Sequence, residues 1–224
     1  MSTKEGDHER ATKLARTGYT PVGPVNYPAL GAVVSKELSG ELDMPSFVSV
    51  SPGYFLGVGS GAGFLGANHA PLVVQSSPSE DGFPQMHVRN LTKFDKTMRR
   101  RLSLFQDFES EFAAAHRDQL VLSHATAYRR AVEMMKGRAS SVFDLDNERE
   151  SVRREYGSTT FGQGCLLARR LVEMGVPFVE VSLNNIAGIN VFGWDTHSNN
   201  FESTKSLSQV LDQGWGALLA DLKC

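Results

Sequence analysis

The sequence predicts an α/β fold, in which helices cover a sheet. Near the carboxyl end, an amphipathic helix, a short apolar strand, a loop and a second amphipathic helix follow one another. This order is typical of an α/β sheet. Earlier in the chain, residues 47–50 read FVSV and form another strand candidate, bounded by Pro45 and by Pro52.

The composition is that of an ordinary globular protein. Of the 224 residues, 41% are hydrophobic and 21% are charged, enough to build an apolar core. The formal net charge of −2 argues against a dedicated nucleic-acid binder, which neutralises phosphates with surplus basic residues. No apolar run reaches the roughly 18 residues of a membrane span. The opening MSTKEGDHER also lacks the apolar core of a signal peptide.

The first third of the chain predicts two helices and a strand. Residues 7–16 form a short helix, and Gly18 can end it in the left-handed conformation. The proline-rich residues 19–28 form a loop. A second helix covers residues 28–38, and its predicted apolar side consists of Leu30, Val33 and Val34.

A glycine-rich stretch follows the first strand. Residues 57–66 read GVGSGAGFLG, but their alternating glycines match neither the P-loop nor the dinucleotide-binding spacing. The interpretation is a surface loop, and residues 75–85 are predicted to continue as loop.

Residues 91–156 are predicted to be a helical insertion packed beside the sheet. Large apolar side chains recur there at intervals of three and four residues: Leu102, Phe105, Phe108 and Phe112. His116 and His124 lie in this region without a nearby carboxylate cluster, and they are interpreted as ordinary surface histidines.

The last third gives the clearest pattern. Residues 161–174 predict a helix that Gly175 ends, and residues 178–183 predict the next strand. Cys165 is expected to be a small buried hydrophobe on that helix. A final helix starts after Asn199, which forms a capping-box variant with Glu202. Its predicted buried stripe consists of Leu207, Val210, Leu211, Trp215, Leu218 and Leu222.

The motif GWDTH, residues 193–197, lies between that strand and the final helix. In an open α/β sheet, functional groups gather beyond the carboxyl ends of the strands. If the segment is extended, Asp195 and His197 point to the same side and can face one cation, and their donor atoms suit zinc or manganese. The alternative is a turn, in which Asp195 bonds the backbone and Trp194 packs.

Several segments resemble a bacterial family of sulfatase-like proteins, known as domain of unknown function fifteen-oh-one. The most specific are LLARRLVEMGVPFVEV and GWDTHSNNF, and the segments GAGFLGANHAPLVV and residues 1–38 extend the resemblance along nearly the whole chain. This resemblance implies the α/β sandwich of the alkaline phosphatase superfamily, which hydrolyses phosphate or sulfate esters with bound metal. It also implies that Asp195 and His197 are metal ligands.

The resemblance further implies that this chain is an internal fragment with an incomplete metal site. Family members carry an export signal and a first strand with a metal-binding acid before the matching region, and further segments after the final helix. We therefore expect the intact protein to be periplasmic or exported, and the fragment alone to be inactive on esters.

The nucleophile in this superfamily is a serine, threonine or modified cysteine near a helix amino terminus, where the helix dipole favours an anion. Ser2 and His8 hold a comparable place here, and they are the candidate catalytic residues. A frayed terminus with a solvated His8 is the alternative.

Two functions stay open at this point. One is a metal-dependent hydrolase of phosphate or sulfate esters, with a small-molecule or polysaccharide substrate. The other is a non-catalytic surface or scaffold protein that retains the fold, because a fold does not determine a function.

Overall fold

The computed structural model describes residues 4–20, 22–38, 44–50, 61–77, 82–88, 138–183, 186, 193–196 and 198–223. These residues belong to two compact units. Unit 1 contains residues 1–46, 57–71 and 90–140, and unit 2 contains residues 47–56, 72–89 and 141–224. None of the described helices is long and apolar enough to cross a membrane.

In unit 1, helix α1 spans His8–Thr17 and is defined by its two ends. Asp7 accepts a hydrogen bond from the Arg10 amide at 2.9 Å, which satisfies one of the free amides of the first turn. Gly18 ends the helix at φ 75°, a conformation that glycine adopts without steric cost. The predicted helix and its glycine cap are confirmed.

Helix α2 spans Leu30–Glu37 and buries its small residues, Gly31, Ala32 and Ser35. It packs against two short 3-10 turns, Gly63–Leu65 and Ala67–His69. The predicted apolar side of this helix is wrong, because Leu30 is 61% exposed and Val33 is 39% exposed. Small side chains let the turns approach the helix axis, and the large ones then face outward.

Unit 2 contains a four-stranded sheet in the order β3-β2-β1-β4. The strands are β1 (Phe47–Val50), β2 (Leu72–Ser77), β3 (Gln85–Val88) and β4 (Phe178–Val181). Strand β1 runs parallel to both β2 and β4, and β3 is antiparallel to β2. The predicted α/β fold is confirmed at this level. The prediction that residues 75–85 are loop is wrong at both ends of that range, because β2 extends to Ser77 and β3 begins at Gln85.

Strand β1 is the centre of the core of unit 2. All four of its residues are buried, as expected for a parallel strand covered on both faces. Its first residue, Phe47, pairs with Phe178 of β4, and the two rings meet edge to face with centroids 5.3 Å apart. This contact stabilises the parallel pairing near the amino ends of both strands.

Three helices complete unit 2: α3 (Glu150–Tyr156), α4 (Thr160–Glu173) and α5 (Asn200–Asp221). Helix α4 begins at the cap residue Thr159, whose hydroxyl accepts from the Gly162 amide at 3.1 Å, and it contacts both β4 and α5. The predicted helix is confirmed, and Cys165 is buried in it.

Helix α4 approaches the sheet closely at Gly164. A β-carbon on Gly164 would stand 3.1 Å from Val181 Cγ1 and 3.2 Å from Val50 Cγ1. Val50 and Val181 are direct partners across β1 and β4, so both side chains lie on the face that α4 covers. Because side chains alternate along a strand, Ser49 and Glu180 lie on the opposite face.

Helix α5 buries Ser203, Leu207 and Gly214 against the unit. Of the predicted apolar stripe, only Leu207 is fully buried, whereas Trp215 is 50% exposed and Leu222 is 59% exposed. The stripe prediction is therefore wrong at Trp215 and Leu222. Most of the predicted helical insertion, residues 91–137, lies outside the described residues. The described remainder holds 3-10 turns at Arg138–Phe143 and Leu145–Asn147 and then α3.

Candidate functional site

The GWDTH loop follows β4 in the chain. Strand β4 pairs in register with the parallel strand β1, from Phe47 with Phe178 to Val50 with Val181. The carboxyl ends of both strands therefore lie at one edge of the sheet, where open α/β sheets gather their functional groups. Asp195 is exposed.

A hydrogen bond from the residue beside Asp195 fixes this loop to helix α5. The Thr196 hydroxyl donates to Asn200 Oδ1 at 2.5 Å, and the Thr204 hydroxyl donates to the same oxygen at 3.2 Å. At the other end of the loop, Gly193 is buried and has φ 61°. Trp194, the aromatic residue of the motif, is 47% exposed rather than packed in the core.

The turn into α5 uses an asparagine in an unusual backbone conformation. Asn199 has φ 51° and is the one described non-glycine residue with positive φ. Asparagine tolerates this left-handed region better than most residues. Its side chain makes no capping hydrogen bond, so the predicted capping box is wrong. The side chain of Asn200 instead holds the loop through Thr196.

The far end of α5 is held by an ionic cluster. Arg169 of α4 donates to Asp221 Oδ2 at 2.8 Å and to Glu148 Oε1 at 3.1 Å, and the Tyr156 hydroxyl donates to the same Asp221 oxygen at 2.7 Å. Hydrogen bonds from Arg169 and then Tyr156 hold the pKa of Asp221 below its usual value. Burial, and then the hydrogen bond to Asp221, raises the pKa of Tyr156. These contacts fix the carboxyl end of helix α5 to helices α3 and α4.

Two polar side chains of the sheet were not predicted from the sequence as candidate site residues. Ser49 of β1 and Glu180 of β4 are direct partners across the parallel pair, on the face that α4 does not cover. Ser49 is 1% exposed, and its hydroxyl has no hydrogen-bond partner in the part of the chain that the structure describes. Glu180 is half-buried. A single acid in an apolar strand matches no motif, and only the strand register places it beside Ser49.

The structure describes two of the four predicted site residues. Asp195 lies in unit 2 and His8 in unit 1, where it is the exposed first residue of α1. The carboxylate of Asp7 already accepts from an amide at that helix end, so a second anion there would meet a negative charge. Ser2 and His197 lie outside the described residues, and their predicted roles stay predictions.

Carboxylate and hydroxyl oxygens are donor types that divalent cations accept. Asp195 and Glu180 offer carboxylate oxygens, and the buried, unpartnered hydroxyl of Ser49 is a further oxygen donor. Within the described ranges, which omit His197, no three histidine, cysteine, aspartate or glutamate residues form a cluster able to hold a metal.

All 224 residues match the family described as Protein of unknown function (DUF1501). This chain belongs to the DUF1501 family. No curated protein and no solved structure matches it. The membership confirms the family resemblance seen in GWDTHSNNF and the preceding helix and strand, and it assigns no activity to the DUF1501 chain.

Proposed function

We propose that this chain is part of a metal-dependent hydrolase of phosphate or sulfate esters, with the α/β sandwich of the alkaline phosphatase superfamily. The resemblance of the GWDTH segment to sulfatase-like proteins suggests the reaction class. The observed α/β sheet, with three mutually parallel strands, is compatible with that fold.

One observation carries the proposal. Asp195 is exposed in a loop that follows β4, and β4 is paired in parallel register with the central strand β1. The hydrogen bond from Thr196 to Asn200 fixes the backbone next to this carboxylate. In open α/β sheets, loops that follow the carboxyl ends of parallel strands commonly carry the groups that hold a catalytic ion, which supports this proposal.

Asp195, together with His197, would hold the ion, for which zinc and manganese are the candidates. A bound divalent ion polarises a phosphate or sulfate oxygen and stabilises the charge that develops during ester cleavage. Ser2 and His8 stay the proposed nucleophile and its partner by resemblance alone.

Metal binding is the direct test. The metal-free protein is titrated with Mn²⁺ and with Zn²⁺ in a calorimeter, as wild type, Asp195→Asn and His197→Ala. The matched control is Asp212→Asn, which removes an exposed carboxylate from the outer surface of α5. We expect Asp195→Asn and His197→Ala to weaken binding at least tenfold, and the control to bind like the wild type.

The test of the reaction uses the full gene product, with chromogenic phosphate and sulfate esters. Metal-dependent turnover that Asp195→Asn abolishes supports the hydrolase. Tight metal binding with no turnover of either ester would instead favour a non-catalytic protein that retains the fold.

A further inference from the structure

We propose that the exposed face of helix α5 pairs with the same face of a second copy of this chain, with the two helices antiparallel. The surface concerned, called the α5 seam below, consists of Phe201, Lys205, Ser208, Asp212, Trp215 and Leu219. This inference is independent of the proposed hydrolase function and of any metal.

The residues of the α5 seam recur at alternating intervals of four and three, and all of them are exposed. The opposite face of the helix, which includes Leu207 and Gly214, is buried. Alternation of four and three is the heptad spacing with which two helices interlock their side chains. The seam also exposes large apolar side chains: Phe201 is 87% exposed, Trp215 50% and Leu219 44%. Contiguous exposed apolar groups of this kind mark interaction surfaces.

The middle of the seam carries polar groups that complement one another across an antiparallel pair. In one register, Ser208 lies opposite the partner's Asp212, so its hydroxyl can donate to that carboxylate. Three positions towards the amino terminus, Lys205 then lies opposite the partner's Trp215. An indole ring attracts an ammonium group and packs against the methylene chain that carries it. In the part of the chain that the structure describes, Lys205, Ser208 and Asp212 form no ion pair or side-chain hydrogen bond, so these groups are available to a second copy.

The ends of the seam match in the same register. Four positions before Lys205, Phe201 lies opposite the partner's Leu219, so an apolar residue meets an apolar residue. A twofold axis between the helices repeats every pair, because both copies present the same surface. The three pairs, each formed twice, cover about 27 Å of helix.

The charges select the antiparallel direction. A parallel pair in register would place Lys205 against the partner's Lys205 and Asp212 against the partner's Asp212, and like charges at an interface are unfavourable. In the antiparallel register, the partner's Asp212 lies one layer from Lys205, so opposite charges approach each other instead. The sequence of the seam is therefore complementary to itself only when one helix is reversed.

Sedimentation equilibrium of the full chain, from micromolar to submillimolar concentration, tests the pairing. The variants are Leu219→Glu, which places a charge against the partner's Phe201, and Lys205→Glu, which places two acids one layer apart. The matched control is Val172→Glu, which changes an apolar residue of α4 that is 49% exposed and lies outside the seam.

We expect the wild type and Val172→Glu to show the same monomer–dimer equilibrium. Leu219→Glu and Lys205→Glu should each weaken dimerisation at least tenfold, whereas Lys205→Arg should dimerise like the wild type. A wild type that stays monomeric at every concentration overturns the inference. So does a dimer that Leu219→Glu and Lys205→Glu weaken no more than Val172→Glu does.

Disulfide cross-linking tests the direction of the two helices. In a Cys224→Ser background, a mixture of the Ser208→Cys and Asp212→Cys chains should form covalent dimers faster than either chain alone, because only the mixture brings two thiols opposite each other. Cys165 is buried and does not compete. If Ser208→Cys alone and Asp212→Cys alone cross-linked as fast as the mixture, the antiparallel pairing would be wrong.

Discussion

The α-carbon of Gly162 lies 3.0 Å from the point where a β-carbon on Gly214 would stand. Helices α4 and α5 therefore lie close together where a glycine of one meets a glycine of the other. The ring of Phe161 fills the adjacent space, 3.1 Å from the same point. Glycine inside a helix costs about 1 kcal/mol relative to alanine, and close packing offsets that cost at Gly214.

Alanine substitutions at the two glycines of α5 should have opposite effects. Gly214→Ala is expected to lower the free energy of unfolding by about 1–3 kcal/mol, because the new methyl group collides with Gly162 and Phe161. Gly216→Ala is expected to raise it by about 0.5–1 kcal/mol, because nothing lies within 4 Å of that position. Urea unfolding measures the free energy of unfolding of both variants. A Gly214→Ala variant more stable than the wild type would contradict the close contact between α4 and α5.

The contact between Asp221 and Arg169 should make stability depend on pH. The hydrogen bonds from Arg169 and Tyr156 lower the pKa of Asp221 in the folded state. The Asp221 carboxylate therefore stabilises the folded protein fully when the pH is above its pKa in the unfolded chain, about 4. This stabilisation is lost as the pH falls through the lower pKa that Asp221 has in the folded protein. The Asp221 side chain is 35% exposed, so solvent screening limits the contribution to about 1 kcal/mol.

The variant Asp221→Asn tests this dependence. At pH 7 it should unfold at a lower urea concentration than the wild type, and the difference should shrink as the pH is lowered from 5 to 3. The control Glu173→Gln removes another Arg169 partner that is 62% exposed, and it should have a smaller effect. If Asp221→Asn and the wild type differed in stability by the same amount from pH 5 to pH 3, ionised Asp221 would not be the source of the pH dependence.

Cys165 should be chemically inert in the folded protein. Burial raises the pKa of its thiol to about 12, so almost no reactive thiolate exists at pH 8. In a Cys224→Ser background, a thiol-specific chromogenic disulfide should react with Cys165 only after urea unfolds the protein. Rapid labelling of the native protein would show that α4 opens locally.

The hydrogen bond from Thr196 to Asn200 should restrict the motion of the GWDTH loop. Trp194, two residues before Thr196, is about half exposed and can report on this loop by its fluorescence. In a Trp215→Phe background, Thr196→Val should lower the fluorescence anisotropy of Trp194, whereas Thr204→Val should leave it nearly unchanged. If Thr196→Val and Thr204→Val gave the same Trp194 anisotropy, the hydrogen bond from Thr196 to Asn200 would not be what fixes the loop.

Elements with local end signals could be predicted from the sequence. Asp7 and Gly18 define α1, and Gly175 ends α4 in the same way, at φ 87°. Strand β2 was missed because its second half, Gln75-Ser76-Ser77, is polar, and its pairing with β1 and β3 is set by residues distant in sequence.

The buried faces of the helices were harder to predict than the helices themselves. Helix α2 packs through Gly31, Ala32 and Ser35, and helix α5 packs partly through Ser203 and Gly214. Periodicity of large apolar residues predicts neither face, because close approach of backbones selects small side chains. At the candidate site, the GWDTH motif identified Asp195, but only the register of β1 and β4 places Glu180 beside Ser49.

The central position of β1 has a consequence for biosynthesis. Strand β1 gains β2 as a neighbour soon after it is made, but its other neighbour, β4, emerges only after residue 178 has been synthesised. Pairing over such a long separation carries a large loop-closure entropy and slows folding. Until β4 pairs with β1, the β1 edge that β4 will cover is open to other nascent chains. This strand is therefore where a nascent chain would aggregate, or where a chaperone would bind it.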